Sequence, residues 1–259
     1  IKGIELEEPR SLQLQHLNDA ELAGGNTGAR TSGSSNGSEG LKEKRKALAK
    51  GGYLKASAAL GDLVKNTRGG GTVSFKQAKR AIQNIVELMM QDESTLLGLT
   101  NLRCHDQYTH NHSVNVSLLA MALGNRAGYP KVELADLGLS ALFHDVGKCA
   151  ISLDVLNKPG EFTQEEWAVM RSHPIEGVFT LVKSRGINNV PARMAAASFE
   201  HHMNYDYSGY PKLQVSWTQT VASRIITIAD CYDAMTSSRV YRREPMSPAN
   251  VLKFMFGKS

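Results

Sequence analysis

A series of histidines and aspartates recurs from residue 112 onward, at intervals of about one helical hairpin. It begins at His112 and continues with His144-Asp145, His173, His201-His202 and Asp230, so successive members lie 28 to 32 residues apart. This interval is close to the length of a helix, a turn and a returning helix, so the side chains can meet at one level of a helical bundle. Imidazole and carboxylate groups are ligands for hydrolytic divalent metals. The series therefore predicts a metal site in a bundle core.

Taken singly, each of these histidines is more often a core or surface residue than a ligand. The regular series shifts the balance towards metal binding. Two neighbouring side chains, as in His144-Asp145 and His201-His202, can both point inward only at a helix end or in a distorted turn. Gly147, shortly after the first pair, favours such a break in the helix.

The rest of the sequence favours helices. Three- and four-residue spacing of apolar residues indicates one amphipathic helix over 74–90, with Ser74 as its N-cap and a buried stripe formed by Phe75, Ala78, Ile82, Ile85, Val86 and Met89. Further helices are expected over 41–64, 114–123, 133–143, 163–172, 191–200 and 221–235. Few alternating β-branched runs occur, so we expect an all-α bundle preceded by extra N-terminal helices.

Composition divides the chain into four parts. Residues 1–23 could be the tail of an upstream segment or a short helix, and the Gly- and Ser-rich residues 24–40 are expected to form a flexible linker. An N-terminal helical region follows over 41–98, and the main domain occupies 99–259.

The positive charge is confined to a short stretch. The 259-residue chain has a formal net charge of +5, but residues 41–80 hold eleven Lys and Arg against two Asp and Glu, and residues 81–259 are almost neutral. A basic DNA- or RNA-binding groove across the main domain is therefore not expected. The basic run at 42–46 is expected to be a solvated helix face, and the alternatives are an anionic partner or a membrane surface.

The cysteines favour a reducing compartment. Cys104, Cys149 and Cys231 are odd in number and widely spaced, so they form no disulfide framework. No stretch approaches the roughly 18 consecutive apolar residues of a membrane span. We expect a cytoplasmic protein.

Several motifs occur in a familiar order. They are YTHNHSVNV from Tyr108, LFHDVGK from Leu142, SHPIEG from Ser172, the His201-His202 pair, YDYSGYP from Tyr205 and IADCYDAMTSSRVYR from Ile228. Together they resemble the HD-GYP family, the cyclic di-GMP phosphodiesterases of the HD metal phosphohydrolase superfamily, over roughly residue 99 to the end.

The resemblance implies an HD-type bundle holding two divalent metal ions, with iron or manganese expected. One ion would be held by His112, His144, Asp145 and Asp230, and Asp145 would bridge to a second ion held by His173, His201 and His202. Family members with a third metal carry a Glu four residues before the first His, where this chain has Tyr108.

The implied reaction is hydrolysis of cyclic di-GMP to pGpG or GMP in bacterial signalling. A pair of cations can hold a bridging hydroxide as the nucleophile and clamp the phosphate oxygens. Asp145 and Lys148 are the expected catalytic residues, with Lys148 neutralising charge on the phosphoryl oxygens or leaving group. Substrate contacts are expected from Tyr210, Arg239, Arg242 and Asp106, and Asp233 is expected to orient a metal ligand.

In the GYP loop, Gly209 is expected to permit a backbone conformation closed to other residues, and Tyr210 to offer a flat face to a guanine base. A plain surface turn is the alternative. The chain departs from the family pattern at Met203, where Glu often follows the histidine pair, and at Tyr207, where Gly is frequent. Family members usually continue for another helix beyond residues 251–256, so the resemblance also implies a domain truncated at its C-terminus. We expect Tyr207 to narrow the approach of the substrate.

The expected partners are cyclic di-GMP or a related cyclic dinucleotide, a protein docking on the GYP loop, a second copy through the N-terminal helices, and an upstream sensor. No nucleic-acid partner is expected. Two other functions stay open at this point. One is a catalytically weak or inactive domain that acts as a cyclic-dinucleotide receptor or interaction module, and the other is a mononucleotide phosphohydrolase, which the GYP loop disfavours.

Overall fold

The computed structural model describes residues 35–68, 75–101, 108–185, 191–237 and 244–257, and these ranges contain helices and turns but no strand. The predicted all-α fold is confirmed. The helices are α1 (Ser35–Arg68), α2 (Phe75–Met89), α3 (Glu93–Leu97), α4 (Tyr108–Arg126), α5 (Lys131–Leu142), α6 (Leu153–Leu156), α7 (Gln164–Met170), α8 (His173–Arg185), α9 (Ala192–Glu200), α10 (Val221–Thr236) and α11 (Pro248–Phe256). Short 3₁₀ turns occupy Gly98–Asn101 and Val146–Ala150.

Helix α1 begins inside the segment expected to be a linker. It starts at Ser35, so residues 35–40 are helical and continuous with the predicted helix that follows. Small and polar residues lower helix propensity without abolishing it, and the packed part of α1 can extend the helix backwards. Residues 1–34 lie outside the described part of the chain. None of the described helices, including this 34-residue one, is long and apolar enough to cross a membrane.

The amphipathic stripe predicted for α2 is confirmed. All six residues of the predicted stripe are buried, and Ala81 joins them. The predicted N-cap, Ser74, falls outside the described residues. Helix α2 lies between α1 and α5, so its buried face is covered on both sides.

The N-terminal helices and the main domain share one hydrophobic core. Tyr53, Leu60 and Leu63 of α1 are almost fully buried in the same cluster as Leu118 and Met121 of α4. Burying a large apolar side chain stabilises a fold by about 1.5–3 kcal/mol. The N-terminal region is therefore packed into the domain through the part of α1 between Ala49 and Leu63.

Close packing brings the turn after α5 against the start of α8. A Cβ atom on Gly147 would lie 1.9 Å from the carbonyl oxygen of His173 and 2.4 Å from the backbone nitrogen of Gly177. Because both neighbours are backbone atoms, no side chain could move aside to make room. Gly147 is therefore required here by close approach, and it lets the His144-Asp145 turn reach the first turn of α8.

Gly147→Ala is expected to lower the free energy of unfolding by at least about 1–3 kcal/mol, as overpacking does in other cores. Gly51→Ala is the matched control, because a Cβ atom at this helical position of α1 meets nothing within 4 Å. It should raise stability by about 0.5–1 kcal/mol. Urea unfolding of both variants measures this, and a Gly147→Ala protein as stable as wild type would contradict the packing argument.

Candidate metal centre

Seven predicted ligands meet between five segments of the fold. His112 lies in α4, His144 and Asp145 in the turn after α5, and His173 at the first residue of α8. His201 and His202 follow the last residue of α9, and Asp230 lies in α10. The adjacent pairs both occur just beyond helix ends, as their sequence required. His202 is partly exposed, and the other six are buried.

Asp145 stands at the centre of the cluster. Its Oδ1 lies 3.3 Å from Nε2 of His173 and 3.6 Å from Nε2 of His201, and its Oδ2 lies 3.4 Å from Nε2 of His144 and 3.9 Å from Nε2 of His112. Two groups of potential ligand atoms share this carboxylate. They are Asp145 with His173, His201 and His202, and Asp145 with His112 and His144.

Asp230 and Asp233 hold His112 from two sides. Nε2 of His112 lies 3.1 Å from Oδ1 of Asp230, and its Nδ1 lies 2.6 Å from Oδ2 of Asp233. Asp230 and Asp233 are one helical turn apart on α10, which places both carboxylates on the face towards α4. Asp233 therefore contacts the ring nitrogen of His112 opposite Nε2, and its expected role in orienting a metal ligand stays a prediction.

Backbone carbonyls orient three other histidines. Nδ1 of His144 lies 2.7 Å from the carbonyl oxygen of Ala141, and Nδ1 of His173 lies 2.7 Å from that of Met170. Nδ1 of His201 lies 2.9 Å from the carbonyl oxygen of Ser198. Since a carbonyl only accepts hydrogen bonds, each Nδ1 carries a proton, which leaves Nε2 as the ring nitrogen that faces Asp145 and could bind a cation.

The protonation states of Asp145 and His201 suit cation binding. Burial raises the pKa of the Asp145 carboxyl, but the charge of Lys148 and the contacts with His144 and His173 outweigh it and hold that pKa well below its usual range. Burial also lowers the pKa of His201 to about 4. Asp145 is therefore ionised and His201 neutral at pH 7, which is the form in which each binds a metal.

His112 differs from His201. Burial lowers its pKa, but hydrogen bonds to Asp230 and Asp233 outweigh that effect and raise the pKa to about 9. The pKa of Asp230 is held well below its usual range because the contacts with His112 outweigh the effect of its own burial. Without a cation, His112 is therefore protonated at pH 7 and donates a hydrogen bond from Nε2 to Asp230, so a metal bound to this nitrogen would displace that proton.

The cluster fits a bound metal. Nε2 of His144 and Oδ1 of Asp145 are buried, yet neither makes a hydrogen bond within the described residues. An unpaired buried polar atom costs about 1–3 kcal/mol, and a cation would remove that cost. Ligand atoms bound to one ion at about 2.0–2.2 Å lie about 3–3.5 Å apart. Most separations around Asp145 are close to this range, including 3.1 Å between the Nε2 atoms of His173 and His201.

Lys148 lies one turn beyond the His144-Asp145 pair. Its Nζ donates to Oδ2 of Asp145 at 2.5 Å, and about a quarter of its side chain is exposed. The ammonium group thus lies between the buried carboxylate and the surface, and its charge helps keep Asp145 ionised.

The GYP loop packs directly on the cluster. The Tyr210 ring lies 4.7 Å from the His202 ring at an interplanar angle of 32°, and its backbone N–H donates to the carbonyl oxygen of His202. A Cβ atom on Gly209 would lie 1.9 Å from that same oxygen. Gly209 does not have a positive φ, so the sequence-based reason for this glycine was wrong. Close approach to His202 requires it.

An open cleft of about 550 Å³ lies beside His202. Tyr210 forms part of its lining together with two basic side chains, Arg171 and Lys212. The Arg171 guanidinium lies 5.9 Å from the centre of the Tyr210 ring, within the range of a cation–π contact. His202, the partly exposed member of the His/Asp cluster, therefore faces a cleft lined by positively charged side chains.

The two departures from the family pattern lie away from the lining of this cleft. Met203 is buried, and Tyr207 borders a separate cavity of about 260 Å³ formed with residues 211–217. Tyr207 has a φ of 59°, and its hydroxyl accepts a hydrogen bond from the backbone N–H of Gln219. Neither residue borders the 550 Å³ cleft. The expected narrowing of the substrate approach by Tyr207 stays a prediction.

The expected substrate contacts Asp106, Arg239 and Arg242 lie outside the described residues. The side chain of Tyr108 does as well. The roles expected of these residues stay predictions.

Three residues that support the cluster or line its cleft were not predicted from the sequence. Asn115 donates through Nδ2 to Oδ1 of Asp233 at 2.9 Å, and its position one turn after His112 could have indicated it. Arg171, two residues before His173, is a second. The third is Glu200, immediately before the histidine pair, whose buried carboxylate accepts hydrogen bonds from the backbone N–H and hydroxyl of Thr220 and from Nε1 of Trp217. Glu200 thereby joins the end of α9 to the start of α10.

Comparison with known proteins gives consistent matches. The HD domain family model matches residues 81–257. The cyclic di-GMP phosphodiesterase PA4108 of Pseudomonas aeruginosa is 32% identical over 73% of this chain and 45% of its own length. The 3'3'-cGAMP-specific phosphodiesterase 2 of Vibrio cholerae is 32% identical over 62% of this chain and 31% of its own. The chain spans less than half the length of these curated relatives.

A solved structure supports the fold. Bd1817, described as an HDG"Y"P protein from Bdellovibrio bacteriovorus, aligns with a TM-score of 0.62 over 83% of this chain and 67% of its own, at 18% sequence identity. This likeness, the family match over most of the chain and the His/Asp cluster of the bundle core agree with the motif order of the sequence. The chain belongs to the HD-GYP family of HD-domain proteins.

Proposed function

We propose that this chain is a metal-dependent phosphodiesterase that hydrolyses cyclic di-GMP to pGpG or GMP in bacterial signalling. One observation carries the proposal: the buried Asp145 carboxylate is shared by two groups of potential metal ligands, and the partly exposed member of one group, His202, lines a basic cleft. Relatives named as phosphodiesterases of cyclic di-GMP and of 3'3'-cGAMP support a cyclic dinucleotide as the substrate.

The centre is proposed to take two divalent ions, iron or manganese. His112, His144, Asp145 and Asp230 would hold one ion, and Asp145, His173, His201 and His202 the other. When bound, such a pair supplies a nucleophile at neutral pH and neutralises charge on the phosphate. Imidazole nitrogens and carboxylate oxygens suit first-row metals, and none of the seven proposed ligands is a soft thiolate.

Lys148 and Asp145 act together in this proposal. Asp145 would be a ligand of both ions, and Lys148 helps keep it ionised in the buried centre through their 2.5 Å contact. The Lys148 ammonium also lies near enough to the surface to neutralise charge that develops on the phosphoryl oxygens or the leaving group.

The cleft is proposed to hold the nucleotide. A cyclic dinucleotide carries two phosphate charges and flat bases, and the cleft presents the charges of Arg171 and Lys212 beside the ring of Tyr210. An arginine can bind a phosphate or a guanine edge through two parallel donors. Arg239, Arg242 and Asp106 remain proposed contacts from the part of the chain outside the described residues.

The proposal includes the expected cellular setting. The protein would act in the cytoplasm, downstream of a sensor segment, and pair with a second copy through its N-terminal helices. Tyr205 and Val215 are largely exposed around the GYP loop, which supports this loop as a surface for a protein partner.

Asp145→Ala is expected to reduce bound manganese from two ions per chain to fewer than one, because Asp145 would touch both. Metal analysis after dialysis against Mn²⁺ measures this. Asp136→Ala, which changes an exposed carboxylate on α5, should retain two ions. Two ions in the Asp145→Ala protein would contradict the shared carboxylate, and three tightly bound ions in the wild type would contradict the two-metal centre.

The protein loaded with Mn²⁺ or Fe²⁺ under reducing conditions is expected to convert cyclic di-GMP to pGpG or GMP. Chromatography of the reaction mixture measures the loss of substrate and the appearance of product. Parallel reactions with 3'3'-cGAMP and with nucleoside triphosphates test the substrate class. Chelator-treated and Asp145→Ala proteins should be inactive. Cyclic di-GMP binding without turnover would favour a receptor and would contradict the proposed enzyme, as would preferred turnover of the triphosphates.

Arg171→Ala is expected to raise the KM for cyclic di-GMP about 10-fold or more, since one charge-assisted contact is worth about 1.5–3 kcal/mol. Its metal content should not change. Arg193→Ala, which removes an exposed arginine paired with Glu133, is the control and should keep the wild-type KM. An unchanged KM in Arg171→Ala would remove Arg171 from the binding surface.

A further inference from the structure

A buried chain of hydrogen bonds links the candidate metal centre to α1. The hydroxyl of Tyr53 donates to Oδ1 of Asn115 at 3.0 Å, and Nδ2 of Asn115 donates to Oδ1 of Asp233 at 2.9 Å. Oδ2 of Asp233 lies 2.6 Å from Nδ1 of His112. Three hydrogen bonds thus join a residue of the N-terminal helix to a metal ligand.

All four side chains are shielded from water. Tyr53 is 0% exposed, Asp233 3%, and Asn115 and His112 5% each. Hydrogen bonds are stronger in such surroundings than in water, and an unpaired group in the chain is costly. The orientation of each side chain in the hydrogen-bonded chain therefore depends on the orientation of its neighbour.

The chain fixes the direction of each group. The Asp233 carboxylate only accepts hydrogen bonds, so the amide nitrogen of Asn115 must face it and the amide oxygen must face Tyr53. The Tyr53 hydroxyl satisfies that oxygen, and Nδ2 also donates to the carbonyl oxygen of Thr100 at 3.3 Å. With one carboxylate oxygen engaged by Asn115, the other is left to hold Nδ1–H of His112, which turns Nε2 towards Asp145 and Asp230.

We propose that Tyr53 is a positioning residue for the metal centre, acting through Asn115 and Asp233 on the orientation of His112. Tyr53 lies before residues 81–257, the part matched by the family model. Helix α1 is then more than an appended element, because it supplies the far end of the support for a metal ligand. This inference rests on the metal-binding part of the proposed function.

A purely structural role for Tyr53 is the competing explanation, since its ring packs in the main core cluster. Tyr53→Phe keeps the ring and removes only the hydroxyl. Tyr129→Phe is the matched control, because Tyr129 packs against the same cluster but lies outside the hydrogen-bonded chain. A structural role alone would change the unfolding temperature without changing metal affinity.

The test is Mn²⁺ binding by isothermal titration to the metal-free full chain. Loss of a direct support of a metal ligand typically weakens binding about 10–100-fold. Tyr53 acts two residues further out, so Tyr53→Phe is expected to raise the Kd of one ion roughly 3- to 10-fold. Tyr129→Phe should stay within about 2-fold of wild type. Unfolding temperatures of the metal-free proteins verify that each variant is folded.

A second variant tests the route. Asn115→Ala should itself weaken binding, and adding Tyr53→Phe to it should change the Kd by less than about 2-fold, since the connection is already broken. A wild-type Kd in Tyr53→Phe, or a full additional loss in the double variant, would overturn the inference while leaving the metal centre intact. Absence of Mn²⁺ binding by the wild type would instead overturn the proposed function.

Discussion

The arrangement of the core depends on one buried carboxylate. Asp145 has little exposure to water and faces four imidazoles, and burial alone would favour its neutral form. The ammonium of Lys148, the nearby histidines and, when bound, metal ions offset that cost. Both groups of potential ligands include Asp145. The turn after α5 must therefore lie close enough to α4, α8 and the end of α9 for their histidines to contact this carboxylate. The bundle can be understood as the packing that meets this requirement.

Close packing and buried polar contacts both hold the segments around Asp145 in place, at different points of the fold. Gly147 allows the backbone of the turn to approach α8, and Gly209 allows the GYP loop to approach His202. Glu200 ties the end of α9 to Thr220 at the start of α10, and the Thr227 hydroxyl donates to the carbonyl oxygen of His201. The two helices that supply His201, His202 and Asp230 are thus joined beside the cluster, which limits their relative movement.

The sequence predicted which side chains meet in the core better than it predicted the residues that support those side chains. The ordered motifs and the 28- to 32-residue spacing identified the residues from His112 to Asp230 that meet in the fold, because motif order follows the order of helices. The motifs could not reveal that α1 shares the core and is connected to Asp233 through Asn115. Tyr53 lies 62 residues before Asn115, in a segment with no motif. The role of Gly209 was predicted wrongly for a related reason. Its close approach to the backbone of His202 depends on how the loop folds back, whereas the prediction considered only the backbone conformation of Gly209 itself.

Diffraction from metal-loaded crystals, measured at the manganese absorption edge, tests the central claim most directly. Two anomalous peaks on either side of the Asp145 carboxylate are expected. One should be bounded by His112, His144 and Asp230, and the other by His173, His201 and His202. A single peak, or peaks away from Asp145, would contradict the shared-carboxylate centre.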